Sequence, residues 1–150
     1  MFLEGILSIS GQPGLFKQIT QGKNNIIVES LVTGKRMPAF ITARISALQD
    51  VAIYTTGEEK PLVEVLINLF KNSEGKQVLG SKSDKDEMIA LFAEVLPDYD
   101  SEKVYVSDIK KIFSWYNLLI EKEIITEDSV KETEKELEKQ NAEDENEKQE

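Results

Sequence analysis

Residues 108–124 read DIKKIFSWYNLLIEKEI, a stretch whose apolar residues recur with the period of an α-helix. The core stripe of this helix consists of Ile109, Ile112, Phe113, Tyr116 and Ile120. The stripe is widened by Trp115, Leu118 and Leu119 to well past a third of the circumference. A helix with so wide an apolar face packs against more than one neighbour. The stretch therefore predicts a core helix, with Trp115 on the flank of the stripe rather than at its centre.

The loop before this helix, PDYDSEKVYVSD at residues 97–108, has the alternating acidic residues of a calcium-binding loop. An EF-hand that starts at Asp98 needs glycine at its sixth position and a bidentate glutamate at its twelfth. Lys103 and Ile109 occupy these positions. The loop is therefore predicted to be a polar connection with no metal site, in which Ser107 caps the next helix and Asp108 stands in its first turn.

Two further helices are predicted upstream. The first begins at a capping-box pattern of Thr56 and Glu59 and has the apolar face Leu62, Val65, Leu66 and Leu69. The second begins at a similar pattern of Ser83 and Asp86 and ends before Pro97. Its apolar face consists of Met88, Leu91, Phe92 and Val95. Residues 58–126 are therefore predicted to form a three-helix domain.

Residues 1–57 are typical of a β-rich domain. Short alternating or β-branched runs are separated by turn sequences such as GQPG at residues 11–14, where Gly14 needs a positive φ. The expected strands lie in GILSIS, LFKQIT, NIIVESLV, MPAFI and VAIYTT, and a helical turn is expected in TARISALQD. Five short strands predict a small antiparallel barrel or bent sheet of the SH3-like kind. The predicted fold class is α+β.

Charge divides the chain into three segments. Residues 1–57 hold five bases and three acids, residues 58–126 nine bases and fourteen acids, and residues 127–150 four bases and eleven acids. In the last segment only Val130 and Leu137 are aliphatic residues larger than alanine. Such a segment buries too little apolar area to offset its ordering entropy, so a disordered or fraying helical acidic tail is expected.

The composition excludes several functional classes. The chain has no histidine and no cysteine, which removes imidazole acid–base catalysis, thiolate nucleophiles and Cys/His zinc sites. VTGKR resembles a phosphate loop, but Arg36 stands where serine or threonine is required. We expect no enzyme activity and no cofactor. The N-terminus has no basic signal region and no apolar run could span a membrane, so a cytoplasmic protein is expected.

Two candidate binding surfaces remain, and each has a simpler explanation. Trp115 and Tyr116 are residue types that anchor protein interfaces, although both could be core residues. The bases Lys17, Lys35, Arg36 and Arg44 could bind phosphates, although they could also be ordinary solvated side chains. An adaptor whose partner is another protein is favoured, and a nucleic-acid- or ribosome-associated module is the alternative. The acidic tail could compete with an anionic ligand for the four bases.

The sequences LEGILSISGQPGLFKQI, PAF and VLPDYDSEKVYVSDIKKIFSWYNLL resemble an uncharacterised bacterial family of domains of unknown function. The resemblance covers about residues 1–125 and leaves out the tail. It implies a β-rich N-terminal domain followed by a helical domain in a bacterial cytoplasmic protein. It implies no activity, cofactor or catalytic residue.

Overall fold

The computed structural model describes residues 1–40, 42–78 and 84–149, with the backbone alone for 143–149. Five strands come first: β1 Ile6–Ile9, β2 Phe16–Gln21, β3 Asn25–Ser30, β4 Arg36–Phe40 and β5 Ile45–Ala47. A short 3₁₀ turn at Leu48–Asp50 and two two-residue strands, β6 Ala52–Ile53 and β7 Lys60–Pro61, follow. The helices are α1 Leu62–Asn72, α2 Lys85–Val95, α3 Val106–Glu121 and α4 Glu127–Gln149. The α+β class predicted from the sequence is confirmed.

The five strands form one antiparallel sheet in the order β4-β3-β2-β1-β5. Alternation along β1 places Leu7 and Ile9 on one face of the sheet, where they pack in a small cluster with Phe16, Val28 and Ala39. Ile6 points to the opposite face and joins the core shared with the helices. Gly14 has a φ of 77° in the turn before β2, as the GQPG sequence predicts.

The sheet does not close into a barrel, because no ladder joins β4 to β5 among the described residues. VAIYTT was expected to be the fifth strand of this sheet; it does contain a strand, β6, but β6 is outside the sheet, so that part of the prediction is wrong. The fifth strand is Ile45–Ala47, within the segment expected to be a helical turn, because pairing with β1 buries part of Ile45 against the apolar face of the sheet. Residues 52–55 instead pair with β7 and with Tyr99, beside the helices.

The main core joins the helices to the second face of the sheet. Its fully buried side chains include Leu3, Leu15 and Leu48 from the β-rich part and Leu66, Phe92, Phe113 and Leu119 from the helices. α3 contributes the expected stripe, which explains why its apolar face is so wide. It starts at Val106, so Ser107 is not its cap, and Asp108 Oδ2 accepts a hydrogen bond from the Tyr105 N–H at 3.0 Å.

The other helix starts also differ from the expected capping boxes. α1 begins at Leu62, after Pro61, while the Thr55 hydroxyl, rather than Thr56, organises the turn before it by accepting the Gly57 N–H at 3.0 Å. α2 is capped by Asp84, whose Oδ1 accepts from the Asp86 N–H at 3.1 Å. The expected cap Ser83 lies outside the described residues.

The segment expected to be a tail is helix α4, so the described residues contain four α-helices rather than three. Val130 and Thr133 are buried, and Leu137 packs against the main core one turn further on. These residues share one helix face, so a segment with few apolar residues still makes a continuous contact. Thr126 and Ser129 cap the helix reciprocally through their hydroxyl oxygens and backbone N–H groups, at 2.8 and 3.1 Å.

Candidate functional site

Helix α3 has a second face that the core does not cover. Lys111, Trp115 and Leu118 follow each other at helical spacing on this face. Trp115 and Leu118 are half-buried at the margin of the main core, while Lys111 is exposed. Trp115 therefore lies at the boundary between the core and the surface, in agreement with its position on the flank of the stripe.

The first cleft at Trp115 separates α3 from strand β6 and has a volume of about 250 Å³. Its walls include Val51, Tyr54, Lys103 and Trp115. Tyr54 is 48% exposed, and the Lys103 Nζ lies 5.3 Å from the centre of its ring, within range of a cation–π contact. The Tyr54 carbonyl accepts the Asp100 N–H at 3.0 Å, so the backbone fixes the position of this tyrosine. We call this cleft the β6 cleft.

The second cleft lies on the other side of Trp115, between α3 and the turn that joins β1 to β2. Its volume is about 550 Å³, and residues 8–14 form one wall while Lys111, Ser114, Trp115 and Leu118 form the other. We call it the turn cleft. Val32, which is 56% exposed, lies next to this cleft. A Cβ atom added to Gly14 would lie 2.7 Å from Val32 Cγ2 and 3.9 Å from Leu118 Cδ2, so these three residues are neighbours.

Trp115 and Lys111 are thus shared walls of both clefts. We call the two clefts with their walls the Trp115 surface. Its charged side chains are Lys103, Lys111 and Asp108. Among the described residues neither lysine forms an ion pair, whereas Asp108 already accepts the Tyr105 N–H. The surface therefore combines apolar walls with two unpaired positive charges.

Tyr116, the second candidate for a partner contact, is a core residue. Its side chain is fully buried, and its hydroxyl donates to the Lys76 carbonyl at 2.9 Å and lies 2.8 Å from Ser73 Oγ. Burial raises the pKa of the Tyr116 hydroxyl, and the hydrogen bond with Ser73 opposes this effect. The hydroxyl fastens the residues after α1 to α3, and Tyr116 cannot contact a partner in this structure.

Two of the four candidate bases flank an acid. Lys17 lies opposite Glu29 on β3, and Glu29 lies opposite Arg36 on β4, so the three side chains form a row across the sheet. Arg36 Nε is 3.8 Å from Glu29 Oε2. Lys35 is exposed in the adjoining turn. Glu29 therefore offsets part of the positive charge at this end of the sheet.

Arg44, the fourth base, lies elsewhere. The Arg44 carbonyl accepts the Ser10 N–H at 2.9 Å. Ser10 is four residues after Ile6 in the chain, and Ile6 pairs with Lys17 on β2. At about 3.3 Å per residue this places the two bases roughly 13 Å apart along the strand direction. Arg44 is beside the turn cleft, which Ser10 lines, rather than beside the other three bases. The four bases do not converge on one site.

The acidic loop before α3 has a structural use. Asp100 Oδ1 accepts the Glu102 N–H at 3.0 Å, and Asp108 holds the start of α3. In the described ranges, no three acidic side chains come close enough together to hold a metal ion. No helix of residues 1–40, 42–78 and 84–149 combines the length and apolarity needed to cross a membrane.

Sequence reasoning missed three residues of the Trp115 surface. Lys111 could have been found, because it lies four residues before Trp115 on the same helix. Tyr54 and Lys103 could not, because the pairing of Thr55 with Tyr99 that brings their segments together has no signal in the sequence.

Comparison with known proteins places this geometry in a family. Residues 3–48 match the family model of a domain of unknown function, DUF5606, and residues 51–119 match a second domain of unknown function, DUF6852. No curated protein matches the chain. A solution NMR structure of a structural-genomics target from Bacteroides vulgatus is 46% identical, covers 83% of this chain and 89% of that chain, and superposes with a TM-score of 0.65. The predicted resemblance is confirmed, and the chain belongs to the family in which a DUF5606 domain of unknown function precedes a DUF6852 domain of unknown function.

Proposed function

We propose that this chain is a non-catalytic interaction protein that binds another protein through the Trp115 surface. The observation that carries the proposal is the position of Trp115 as the shared wall of two open clefts. Tryptophan and tyrosine are enriched among the residues that contribute most to protein–protein binding. Trp115 and the exposed Tyr54 both line the β6 cleft.

The apolar residues around the clefts support this proposal. Val32 and Tyr54 are about half exposed, on either side of α3. Contiguous apolar surface bordered by polar residues is typical of protein-binding sites on monomeric proteins. The clefts are bounded by lysines and serines, which is the arrangement of an apolar centre with a polar rim.

The absence of histidine and cysteine from the sequence supports a non-enzyme, because the commonest acid–base and nucleophilic groups are missing. A place in the cytoplasm remains part of the proposal. So does an SH3-like architecture of the sheet, for which the strand order β4-β3-β2-β1-β5 is the supporting feature. In that order the fifth strand returns to pair with the first.

Nucleic-acid binding through Lys17, Lys35, Arg36 and Arg44 has less support. Glu29 stands between Lys17 and Arg36, and Arg44 is remote from both. The chain also has a net charge of −10, which opposes binding to a polyanion. This function stays a prediction that the following experiment also tests.

The experiment is affinity capture from a Bacteroides lysate, with and without nuclease treatment, by the intact chain and two variants. Trp115→Ala removes the shared wall, and Ser114→Gln places bulk in the turn cleft at an exposed position that does not touch the core. Specifically bound proteins should fall by about tenfold or more with each variant.

Lys110→Gln is the control, because Lys110 is exposed on the same helix and lines neither cleft. It should capture the same proteins as the unchanged chain. If all four chains capture the same set, or if the captured material disappears on nuclease treatment, the proposal is wrong.

A further inference from the structure

We infer that the partner of the Trp115 surface presents an acidic segment whose apolar side chains enter the two clefts on either side of Trp115. This inference rests on the proposed function and specifies the chemistry of the partner. It is carried by the charges that line the surface and by the division of the surface into two clefts.

The charge argument begins with Lys103 and Lys111. Both line the clefts, and neither is engaged by a carboxylate among the described residues. Asp108 is the acidic residue of the lining, and its carboxylate accepts the Tyr105 N–H. In a chain of net charge −10, this surface is a local region that favours carboxylates.

The apolar argument concerns the walls. Val51, Ile53 and Trp115 give the β6 cleft an apolar wall, and Leu118, Trp115 and Ile9 do the same for the turn cleft. Because Trp115 separates the clefts, one continuous chain segment that crosses α3 can place an apolar side chain on each side of the indole. Carboxylates that flank those side chains would then meet Lys103 and Lys111.

A protein segment fits these walls better than a nucleic acid. Readers of single-stranded nucleic acid combine a positive groove with several aromatic side chains on which successive bases stack. Among the described residues that line the clefts, only Tyr54 and Trp115 are aromatic, and they lie on opposite sides of the β6 cleft, so no row of aromatic side chains is available for stacking.

The test uses selection from a random peptide library displayed on phage against the intact chain. Selected peptides without tryptophan are synthesised and titrated while tryptophan emission is recorded. The chain has one tryptophan, so a change in emission reports directly on Trp115. The expected peptides carry acidic residues around aliphatic or aromatic side chains.

Their affinity should fall about tenfold for the double variant Lys103→Gln, Lys111→Gln, because two charge pairs are lost. The control Lys110→Gln, Lys139→Gln removes the same charge from exposed positions outside the clefts and should change affinity by less than about twofold. The affinity for the intact chain should also be lower at about 0.15 M salt than at about 0.01 M salt.

The outcomes separate this inference from the proposed function. Peptides that change Trp115 emission but are neutral or basic, or that bind the two double variants equally, overturn the acidic partner and leave the protein-binding surface standing. If no selected peptide changes Trp115 emission, both are wrong. If a short oligouridine changes the emission and no peptide does, the surface belongs to a nucleic acid, and both are again wrong.

Discussion

Trp115 and Tyr116 are adjacent in sequence but have different surroundings, because neighbouring helix positions point about 100° apart. Tyr116 faces the core and ends in a hydrogen-bonded site with Ser73 and Lys76, whereas Trp115 faces the clefts. The periodicity of the sequence distinguishes the two, since Tyr116 belongs to the stripe and Trp115 to its flank. Residue type alone made both candidates for a partner contact.

Tyr116→Phe tests the role assigned to the buried hydroxyl. The variant leaves the Lys76 carbonyl without its side-chain donor and removes the contact with Ser73 Oγ, which still donates to the Leu69 carbonyl, so the free energy of unfolding should fall by about 1–2 kcal/mol. Urea unfolding measures this change in the free energy of unfolding. Tyr105→Phe removes the same atom from a side chain that is 64% exposed, and its stability should not change. Equal stabilities of the two variants would contradict the assignment.

We also expect Tyr116 to make the stability of the folded chain depend on pH. Burial raises the pKa of Tyr116 in the folded chain above its value in the unfolded chain, so folding favours the protonated hydroxyl. The contribution of Tyr116 to the free energy of unfolding is complete below the usual tyrosine pKa, about 10, and is lost as the pH rises through the pKa of Tyr116 in the folded chain. Stability should therefore fall more steeply above about pH 10 in the unchanged chain than in Tyr116→Phe. If the free energy of unfolding falls equally with pH in the unchanged chain and in Tyr116→Phe, then Tyr116 does not contribute to the pH dependence.

Gly14 and Gly11 form a matched pair in the turn that walls the turn cleft. Both have φ near 80°, but a Cβ at Gly14 would lie 2.7 Å from Val32 Cγ2, and one at Gly11 would meet nothing within 4 Å. Gly11→Ala should cost about 1 kcal/mol for the backbone conformation alone. Gly14→Ala should lower the free energy of unfolding by more than Gly11→Ala does, as measured by thermal or urea unfolding. If the two costs are equal, Val32 moves away freely.

At the scale of elements, helices α1 to α3 could be predicted, whereas strands β5 and β7 could not. The stripes of α1, α2 and α3 are long enough for their period to be read directly. β5 has three residues and β7 two, and each forms because of the strand it pairs with. Hence the sequence predicted a bent sheet with strands in the right region, but assigned the fifth strand to the wrong segment.

The segment of α4 was expected to be a disordered or fraying helical tail, and the structure instead has a helix that docks on the main core. The segment has two large aliphatic residues, which suggested disorder, but their spacing places them with Thr133 on one face. The Phe2 N–H donates to Thr133 Oγ1 at 3.2 Å, and Lys71 pairs with Glu134 at 3.1 Å. The docking groove needed for these contacts exists only in the folded chain, so local sequence could not predict them.

Val130→Asp tests the docking of α4. A carboxylate in place of this buried side chain should destabilise the chain by about 2 kcal/mol or more and expose α4 amides to hydrogen exchange. Gln140→Asp makes the same charge change at an exposed position of α4 and should leave exchange unaltered. Protection of α4 that survives Val130→Asp would contradict the docked helix.

At the scale of the whole molecule, charge and packing divide the chain differently. Charge changes near residues 57 and 126, but the main core contains side chains from the β-rich part, from α1, α2 and α3, and from α4. The described side chains of α4, up to residue 142, form ion pairs with Lys71, with the N-terminal amine and within the helix, and none of them pairs with a base of the sheet. The suggestion that an acidic tail competes for those bases therefore has no support in this arrangement.

The Trp115 surface exists only at this scale, because its walls come from the β1–β2 turn, from the segment around β6 and from α3. Site-specific photo-crosslinking in living bacteria tests it most directly. A photoreactive amino acid replaces Ser114 in the turn cleft, and a second chain carries it at Gln140, which is exposed on α4. We predict a distinct protein adduct from position 114 that is absent from position 140 and is lost when Trp115→Ala is added. No adduct at position 114, or the same adducts from both positions, would contradict a protein-binding site at Trp115.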